Sequence, residues 1–419
     1  MGIMYIAILG RQPALGVAEL EQLYGAQAVR WFSDNSATVD SLRFDFNRLG
    51  GTQKAGRVVA ELSGNWQKVS MRIVREYTTA WADHTGKITL GISAYGFTAT
   101  PREVQKTGIV LKSKLKQQGV SLRLVPNAEP ALNTATSHHN KLGLSDNHVE
   151  LLVVRASNGK VIIAESVGAQ NITALSKRDQ ARPRTDSFVG MLPPKLARMM
   201  VNYATGGAHP SGLVRNEFET SPPSPEARLA PRGDADTNSF TVLDPFCGTG
   251  VLLQEAALLG FDVYGTDLSE KMVRYSTENL DWLAHQYSLT SKIAIDHGDA
   301  MEYHWQQPID AVATETYLGQ PFSAPPSPAK LTEVRGNCNH IINAFLKNIA
   351  GQLASGTTLC VAVPAWRDAN GAITHLPLVN TVEKLGFTPV SLTHVSKEQL
   401  IYYRESQVVA RELLLLKKT

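Results

Sequence analysis

Cysteine is scarce in this chain. The three residues, Cys247, Cys338 and Cys360, lie far apart in 419 positions and none forms a C-x-x-C pair. That spacing argues against a disulfide framework and a zinc site, so no metal is expected, and it fits a reducing compartment, the cytoplasm. A long apolar run is also missing at the start. Ile3 to Leu9 is too short to span a bilayer, lacks a basic leader and is soon followed by Arg11, so it reads as a first strand and no membrane partner is expected. Excess charge of one sign is lacking too. The formal net charge is +3, so a nucleic-acid partner would have to be met by local patches. What remains, 43% hydrophobic and 19% charged residues, is the composition of a soluble folded protein long enough for two or three domains.

The most informative stretch is Asp244-Pro245-Phe246-Cys247-Gly248-Thr249-Gly250. Thr241 to Leu243 before it reads as a buried strand, and Val251 to Ala257 after it as the start of a helix. Strand, glycine turn and helix form the layout of a nucleotide-binding α/β unit, with the ligand at the carboxyl end of the strand. Gly248 and Gly250 lack a Cβ, so backbone can approach a ligand closely. A second strand, Phe261 to Thr266, ends at Asp267, where a carboxylate can accept from both hydroxyls of a ribose. The turn has neither the lysine of a phosphate-binding loop nor the G-x-G-x-x-G spacing, so an adenosyl ligand without phosphates fits better. The bland alternative is a plain βαβ turn.

Along the amino-terminal half, strands are expected at Met4 to Leu9, Ala37 to Val39, Ser41 to Phe44, Arg57 to Ala60 and Lys87 to Tyr95. A helix with an apolar face at Leu15, Ala18, Leu20 and Leu23 stops at Gly25, and a second covers Val69 to Ala80. Residues 104–125 carry Lys106, Lys112, Lys114, Lys116 and Arg123 and no acid. Lys112 and Lys116 share a helix face, either a solvated one or a phosphate-contacting one, and the missing acids favour the latter. Ser121 to Val125 is a strand, and Glu150 to Val154 with Lys160 to Glu165 a closing hairpin. Between Lys177 and Arg198, Lys177, Arg178, Arg182, Arg184, Lys195 and Arg198 face only Asp179 and Asp186. This is either a linker with surface ion pairs or a segment facing RNA or covering a cofactor. Residues 205–238, rich in Gly, Pro, Ser and charge, read as a mobile loop.

In the carboxyl-terminal half, helices are expected over Met272 to Leu283 and Arg335 to Leu353. Strands are expected at Lys292 to Ile295, Ile309 to Thr314 and Thr358 to Pro364, with a hairpin from Leu400 to Arg404 and Val408 to Leu416. Pro321, Pro325, Pro326 and Pro328 suggest a stiff loop.

These residues resemble the Rossmann-like class of S-adenosylmethionine-dependent methyltransferases. The D-P-F-C-G-T-G form is similar to the subset that methylates exocyclic amino groups of nucleobases. Tyr5 to Gly10, Leu15 to Leu20 and Arg48-Leu49-Gly50-Gly51-Thr52 resemble the start of THUMP-containing tRNA guanosine-N2 methyltransferases, the archaeal and eukaryotic enzymes acting on guanosine 10. Ser176 to Pro183 and Gly190 to Ala197 resemble that family's joint between its two halves.

The resemblance implies an α/β fold: a class I methyltransferase domain with a seven-stranded, mostly parallel sheet, plus an amino-terminal α/β RNA-binding half. The implied boundaries are a ferredoxin-like region at 1–64, a THUMP-like domain at 65–165, the joint and loop at 166–238, and the methyltransferase domain at 239–419. S-adenosyl-L-methionine is the implied cofactor, held by Asp244, Phe246, Cys247, Gly248, Gly250, Asp267, Leu268, Asp299 and Ala300. Asp299 would read the adenine amino group, or would simply cap a turn. tRNA is the implied partner, with Lys112, Lys116, Lys177, Arg178, Arg182 and Lys195 on its backbone. A small activating protein partner, or none, stays open.

At the end of the fourth strand the chain departs from the family. Where relatives carry Asp/Asn-Pro-Pro-aromatic, it has Glu315-Thr316-Tyr317-Leu318 before Gly319. Glu315 would accept from the amine, a carbonyl near Thr316 would take its other hydrogen, and Tyr317 would stack on the base. Losing both prolines suggests a site ordered only by RNA. The expected function is N2-methylation of a guanosine in tRNA. The alternatives are a methyltransferase-derived RNA-binding protein with impaired catalysis, or a nucleobase-amino DNA methyltransferase.

Overall fold

The structure, a computed structural model, describes residues 3–186, 192–208, 239–405 and 407–419. Most of the loop expected at 205–238, and Gly190 and Met191 of the joint, lie outside the described residues. The chain divides into two compact units, Met1–Thr173 and Ala174–Thr419.

The first unit is built on one sheet. Its strands are β1 (Met4–Leu9), β2 (Val29–Ser33), β3 (Ser36–Asp40), β4 (Thr52–Ser63), β5 (Lys87–Tyr95), β6 (Ser121–Leu124), β7 (His148–Arg155) and β8 (Lys160–Ala169). They lie in the order β2-β3-β1-β4-β8-β7-β5-β6. Only β5 pairs in parallel, with β6 and β7. The segments expected as a ferredoxin-like region and a THUMP-like domain therefore share a sheet, joined where β4 pairs β8. Helices α1 (Pro13–Tyr24), α2 (Trp66–Ala80), α3 (Pro101–Gln117) and α4 (Thr134–His139) complete the unit. Val69 and Ile73 of α2 and Leu111 and Leu115 of α3 close over Ile88, Leu90 and Ile92 of β5.

One local reading changes here, and one turn gains its support. Ser41 to Phe44 is not a strand: its alternating apolar residues have unrelated fates, with Leu42 74% exposed and Phe44 stacked on Tyr5 at 4.4 Å. The turn at Gly50-Gly51 is held by the buried carboxylate of Glu19, which accepts from both glycine amides at 2.8 Å.

The second unit starts with α5 (Ile172–Gln180), whose first residues lie before the unit boundary, and continues with α6 (Pro194–Thr205). There follow β9 (Thr241–Asp244), α7 (Val251–Leu258), β10 (Asp262–Asp267), α8 (Glu270–Tyr287), β11 (Ile293–His297), β12 (Ala311–Glu315) and α9 (Pro328–Ala350). The chain ends with β13 (Thr358–Arg367), β14 (Ile373–Thr374), β15 (Phe387–Pro389), β16 (Ile401–Tyr402) and β17 (Val409–Lys418). Seven strands form a continuous path, β11-β10-β9-β12-β13-β17-β15; β14 and β16 flank it and bring the sheet to nine. The first five run parallel, and β17 is antiparallel to both of its path neighbours. Burial of the central strands between helices explains their unbroken apolar runs, such as Leu359 to Val363.

Helix α9 begins earlier than expected. Ser327 accepts from the Lys330 amide at 3.3 Å and Pro328 occupies the first turn, so the last proline of the anticipated stiff loop starts a helix. Phe345, Leu346 and Ile349 of α9 pack on Val312, Leu359 and Val361 of the sheet. Because β9, β10 and β12 are parallel, Asp244, Asp267 and Glu315 all end at one edge. Glu315 pairs with Ala362, and β13 runs five residues farther, so β13 and β17 overhang the end of β12.

Candidate functional site

The glycine turn is built from its own hydrogen bonds. The Gly250 amide donates to the Cys247 carbonyl at 2.7 Å, and the Cys247 amide to the Thr266 carbonyl at 2.9 Å. Gly250 has φ 80°, and a Cβ there would lie 2.9 Å from the Ser276 hydroxyl, so glycine is required on both counts. Asp267 grips the turn from the next strand. Its Oδ2 accepts from the Gly248 amide at 2.9 Å and its Oδ1 from the Ser269 amide at 2.9 Å. Burial raises this carboxyl above the usual range while those two amides pull it down. From behind, the Ser276 hydroxyl on α8 donates to the Gly248 carbonyl at 2.9 Å.

Asp244 is buried below the turn and accepts through Oδ1 from the Thr314 hydroxyl at 2.7 Å and the Phe246 amide at 3.2 Å. Burial pushes its carboxyl up to about 7; the Thr314 and Phe246 bonds oppose that, and the charges of Asp267 and Glu315 add to it. An unfolded aspartate titrates near ~3.9. Between those values the folded chain keeps a proton that the unfolded chain has released. This group's contribution to stability therefore falls as pH rises from about 4 to about 7 and is level above that. Asp244→Asn, whose amide oxygen can still accept both bonds, should remove this dependence. Melting curves should show the variant gaining on the native chain across that window; a difference independent of pH would contradict the assignment.

The other residues expected around a cofactor have mixed fates. Cys247 is buried against the core, and burial raises its thiol well above the usual range. The Phe246 ring turns inward onto Phe345 at 5.1 Å, leaving its backbone at the turn. Leu268 is 65% exposed beside Asp267. Asp299 Oδ1 accepts from the Met301 amide at 2.9 Å, so it does cap a turn, and its other oxygen remains as an acceptor; Ala300 beside it is buried.

At the end of β12 three contacts converge. Glu315 Oε1 is paired with Arg411 Nε from β17, both side chains largely buried. Thr316 donates twice to the Ala362 carbonyl, from its amide at 3.0 Å and its hydroxyl at 2.9 Å. Tyr317 is 47% exposed. Where the family's prolines are missing, Thr316 prolongs the pairing to β13 past Glu315. Its hydroxyl is thereby committed to the sheet.

The joint cations separate by burial. Lys177 is exposed and donates to Gln286 Oε1 at 2.5 Å. Arg178 is 1% exposed and donates to Glu255 on α7 at 2.7 Å, where Arg198 also donates at 2.7 Å. Arg182 is 4% exposed. Arg178 and Arg182 are thus not placed to grip an RNA backbone from outside, a correction to the count of basic residues. Lys195 is half-buried, and burial lowers its ammonium below the usual lysine range. In the first unit, α3 buries Leu111 and Leu115 and turns Lys112 and Lys116 outward, both fully on the exposed side and without an ion pair among the described residues.

Several contributors escaped notice in the sequence. Arg411 reaches the site from a strand that carries no motif, Thr314 from the residue just before the Glu315 run, and Ser276 and Asn279 from one face of α8. Spacing of three along a helix next to Asp267 is the one signal that could have found the last two.

Residues 236–398 match a family model described as a methyltransferase domain. Over 208 residues the chain is 28% identical to a tRNA (guanine(10)-N2)-dimethyltransferase of Methanothermobacter thermautotrophicus, covering 49% of this chain and 49% of that protein. Over 137 residues it is 36% identical to the protein of the same name from Pyrococcus abyssi, covering 32% of this chain and 30% of that one. The chain thus spans half or less of the length of these curated relatives. The crystal structure of TrmN from Thermus thermophilus superposes with a TM-score of 0.50 at 16% identity, over 99% of this chain and 100% of that one. The carboxyl-terminal unit has the α/β fold of class I methyltransferases.

Proposed function

We propose that this protein transfers a methyl group from S-adenosyl-L-methionine to the exocyclic 2-amino group of a guanosine in tRNA. The observation that carries this reading is the alignment of three carboxylates at one sheet edge: Asp244 and Asp267 around a phosphate-free glycine turn, and Glu315 on the adjacent strand. The relatives named for tRNA guanine-N2 dimethylation point to the same nucleotide chemistry.

The residues present fit an adenosyl cofactor. Gly248 and Gly250, both at positive φ, put no side chain at two positions of the turn, no lysine is there to meet a phosphate, and Asp267 and Asp299 each keep accepting capacity. Bound there, the cofactor supplies an electrophilic methyl group on a positive sulfur. The chain supplies position. Arg411 holds one oxygen of Glu315, leaving the other to accept a hydrogen from the amine, and Tyr317 offers an exposed ring beside it. In-line attack demands little more of the protein than orientation and exclusion of water. The decisive experiment is incubation of bulk tRNA with labelled cofactor, followed by nucleoside mass spectrometry. Label in N2-methylguanosine supports the proposal; no label while both ligands bind overturns it.

One observation favours a second reading, an RNA-binding protein derived from a methyltransferase: Glu315 is already neutralised by Arg411. The same labelling experiment separates the two.

The first unit is proposed as the THUMP-like RNA-binding half, within the boundaries 1–64 and 65–165, and the cytoplasm as the location. No helix among the described residues is long and apolar enough to cross a membrane. The outward lysines of α3 are the proposed phosphate contacts. The Lys112→Glu, Lys116→Glu pair should weaken tRNA binding and reduce the slope of log affinity against log salt by about 2. Filter binding between low and moderate salt reads this, and an unaltered slope would remove the helix from the interface.

A further inference from the structure

We propose that Arg182 binds the carboxylate of the cofactor's amino-acid end. The proposal rests on the cofactor assignment above and extends the site to a residue outside the glycine turn.

Arg182 exposes 4% of its surface, and among the described residues none of its three guanidinium nitrogens has a hydrogen-bond partner. The acid acting on it is Asp179, and burial outweighs that attraction. A guanidinium carries five N–H donors and does not shed its proton inside a protein. An unpaired buried charge is among the costliest features a fold can contain, so a partner that arrives with a ligand is the natural account.

The chain on either side of Arg182 is fixed to α7 and to the glycine turn. Four residues earlier, Arg178 Nε lies 2.7 Å from Glu255 on α7. Two residues later, the Arg184 amide donates to Asn279 Oδ1 at 2.9 Å, and Asn279 Nδ2 donates back to the carbonyls of Arg184 and Thr249, each at 2.9 Å. Thr249 belongs to the glycine turn that opens α7. Arg182 therefore sits on the short crossing from α7 to that turn. A carboxylate matches the charge and the planar fork of the Arg182 guanidinium. A phosphate in a polymer is the poorer match, because Arg182 lies inside the unit and not on its surface.

The test compares S-adenosylmethionine with its decarboxylated form, which keeps the adenosyl group, the sulfonium and the amine. By isothermal titration the native chain should bind the first on the order of 100-fold more tightly than the second. Arg182→Met should bind the two alike, and Arg182→Lys should restore part of the preference. Melting of the unliganded proteins provides a control on folding: Arg182→Met should be at least as stable as the native chain, because it loses an unpaired buried charge. Equal weakening of both ligands, or a lowered melting temperature with the preference intact, would show a structural role and overturn the proposal. Unchanged cofactor binding with weakened tRNA binding would overturn it in favour of a phosphate contact. A native chain that binds neither ligand breaks the cofactor assignment itself. A native chain that binds both, with the preference kept in Arg182→Met, breaks this proposal alone.

Discussion

Glu315→Gln should lower the rate of methyl transfer to tRNA by on the order of 10³ while leaving affinity for S-adenosylhomocysteine unchanged. The lone pair of a guanine amine is delocalised into the ring, so the nitrogen reacts only when it is held pyramidal and in line. A carboxylate that accepts one amine hydrogen favours that shape and carries off the proton as the new bond forms. Glutamine is close to isosteric and can still offer one oxygen. If that oxygen takes the hydrogen bond from Arg411 Nε, the amide nitrogen turns its donors toward the amine and repels it.

Alanine is the wrong probe at this position. Arg411 is largely buried, and removing its partner would strand a charge at about 3–5 kcal/mol. A loss of activity in Glu315→Ala would then mix chemistry with misfolding. With glutamine, single-turnover rates at saturating tRNA separate the two, provided the melting temperature holds. A rate within a few-fold of the native chain would show that the acceptor lies elsewhere, and the Glu315–Arg411 pair would be a strut between β12 and β17.

The glycine turn of the candidate site was legible in the sequence because its determinants are local. Asp244, the glycines and Asp267 fall within one strand-turn-helix-strand passage, and each glycine has a backbone reason that spacing reveals. The joint was illegible in its function because charge counts carry no burial. Arg178 and Arg198 meet a glutamate 77 and 57 residues away, on a helix whose eight residues are all buried. The end of β12 falls between these cases. Its departure from Asp-Pro-Pro was plain, but its support was not, because Arg411 lies 96 residues downstream in a strand of otherwise generic apolar pattern. In the first unit, Val29 to Ser33 gave no alternating signal and passed unnoticed as β2, although it pairs with β3. Strand order was beyond reach throughout, since register is fixed by partners and not by the strand's own residues.

Asp267→Ala should weaken binding of S-adenosylhomocysteine by about 100-fold or more, but the raw loss has two parts. The carboxylate holds the Gly248 and Ser269 amides, so alanine both removes an acceptor for the ribose and releases the turn that the cofactor lies against. Each charge-assisted bond is worth about 1.5–3 kcal/mol, enough for either part alone to give a large effect. A cycle on the ligand separates them. The native chain should prefer S-adenosylhomocysteine over its 2′,3′-dideoxy analogue by about 10-fold or more, and Asp267→Ala should bind the two equally weakly. A preference that survives the substitution would mean that Asp267 supports the turn and leaves the ribose to other groups. Titration supplies an independent sign. Only the ionised carboxylate accepts from two hydroxyls and two amides at once, and burial raises the Asp267 carboxyl above the usual aspartate range. The native preference should therefore fade on acidification at a pH higher than an exposed aspartate would give. In Asp267→Ala the residual affinity should show no such fade.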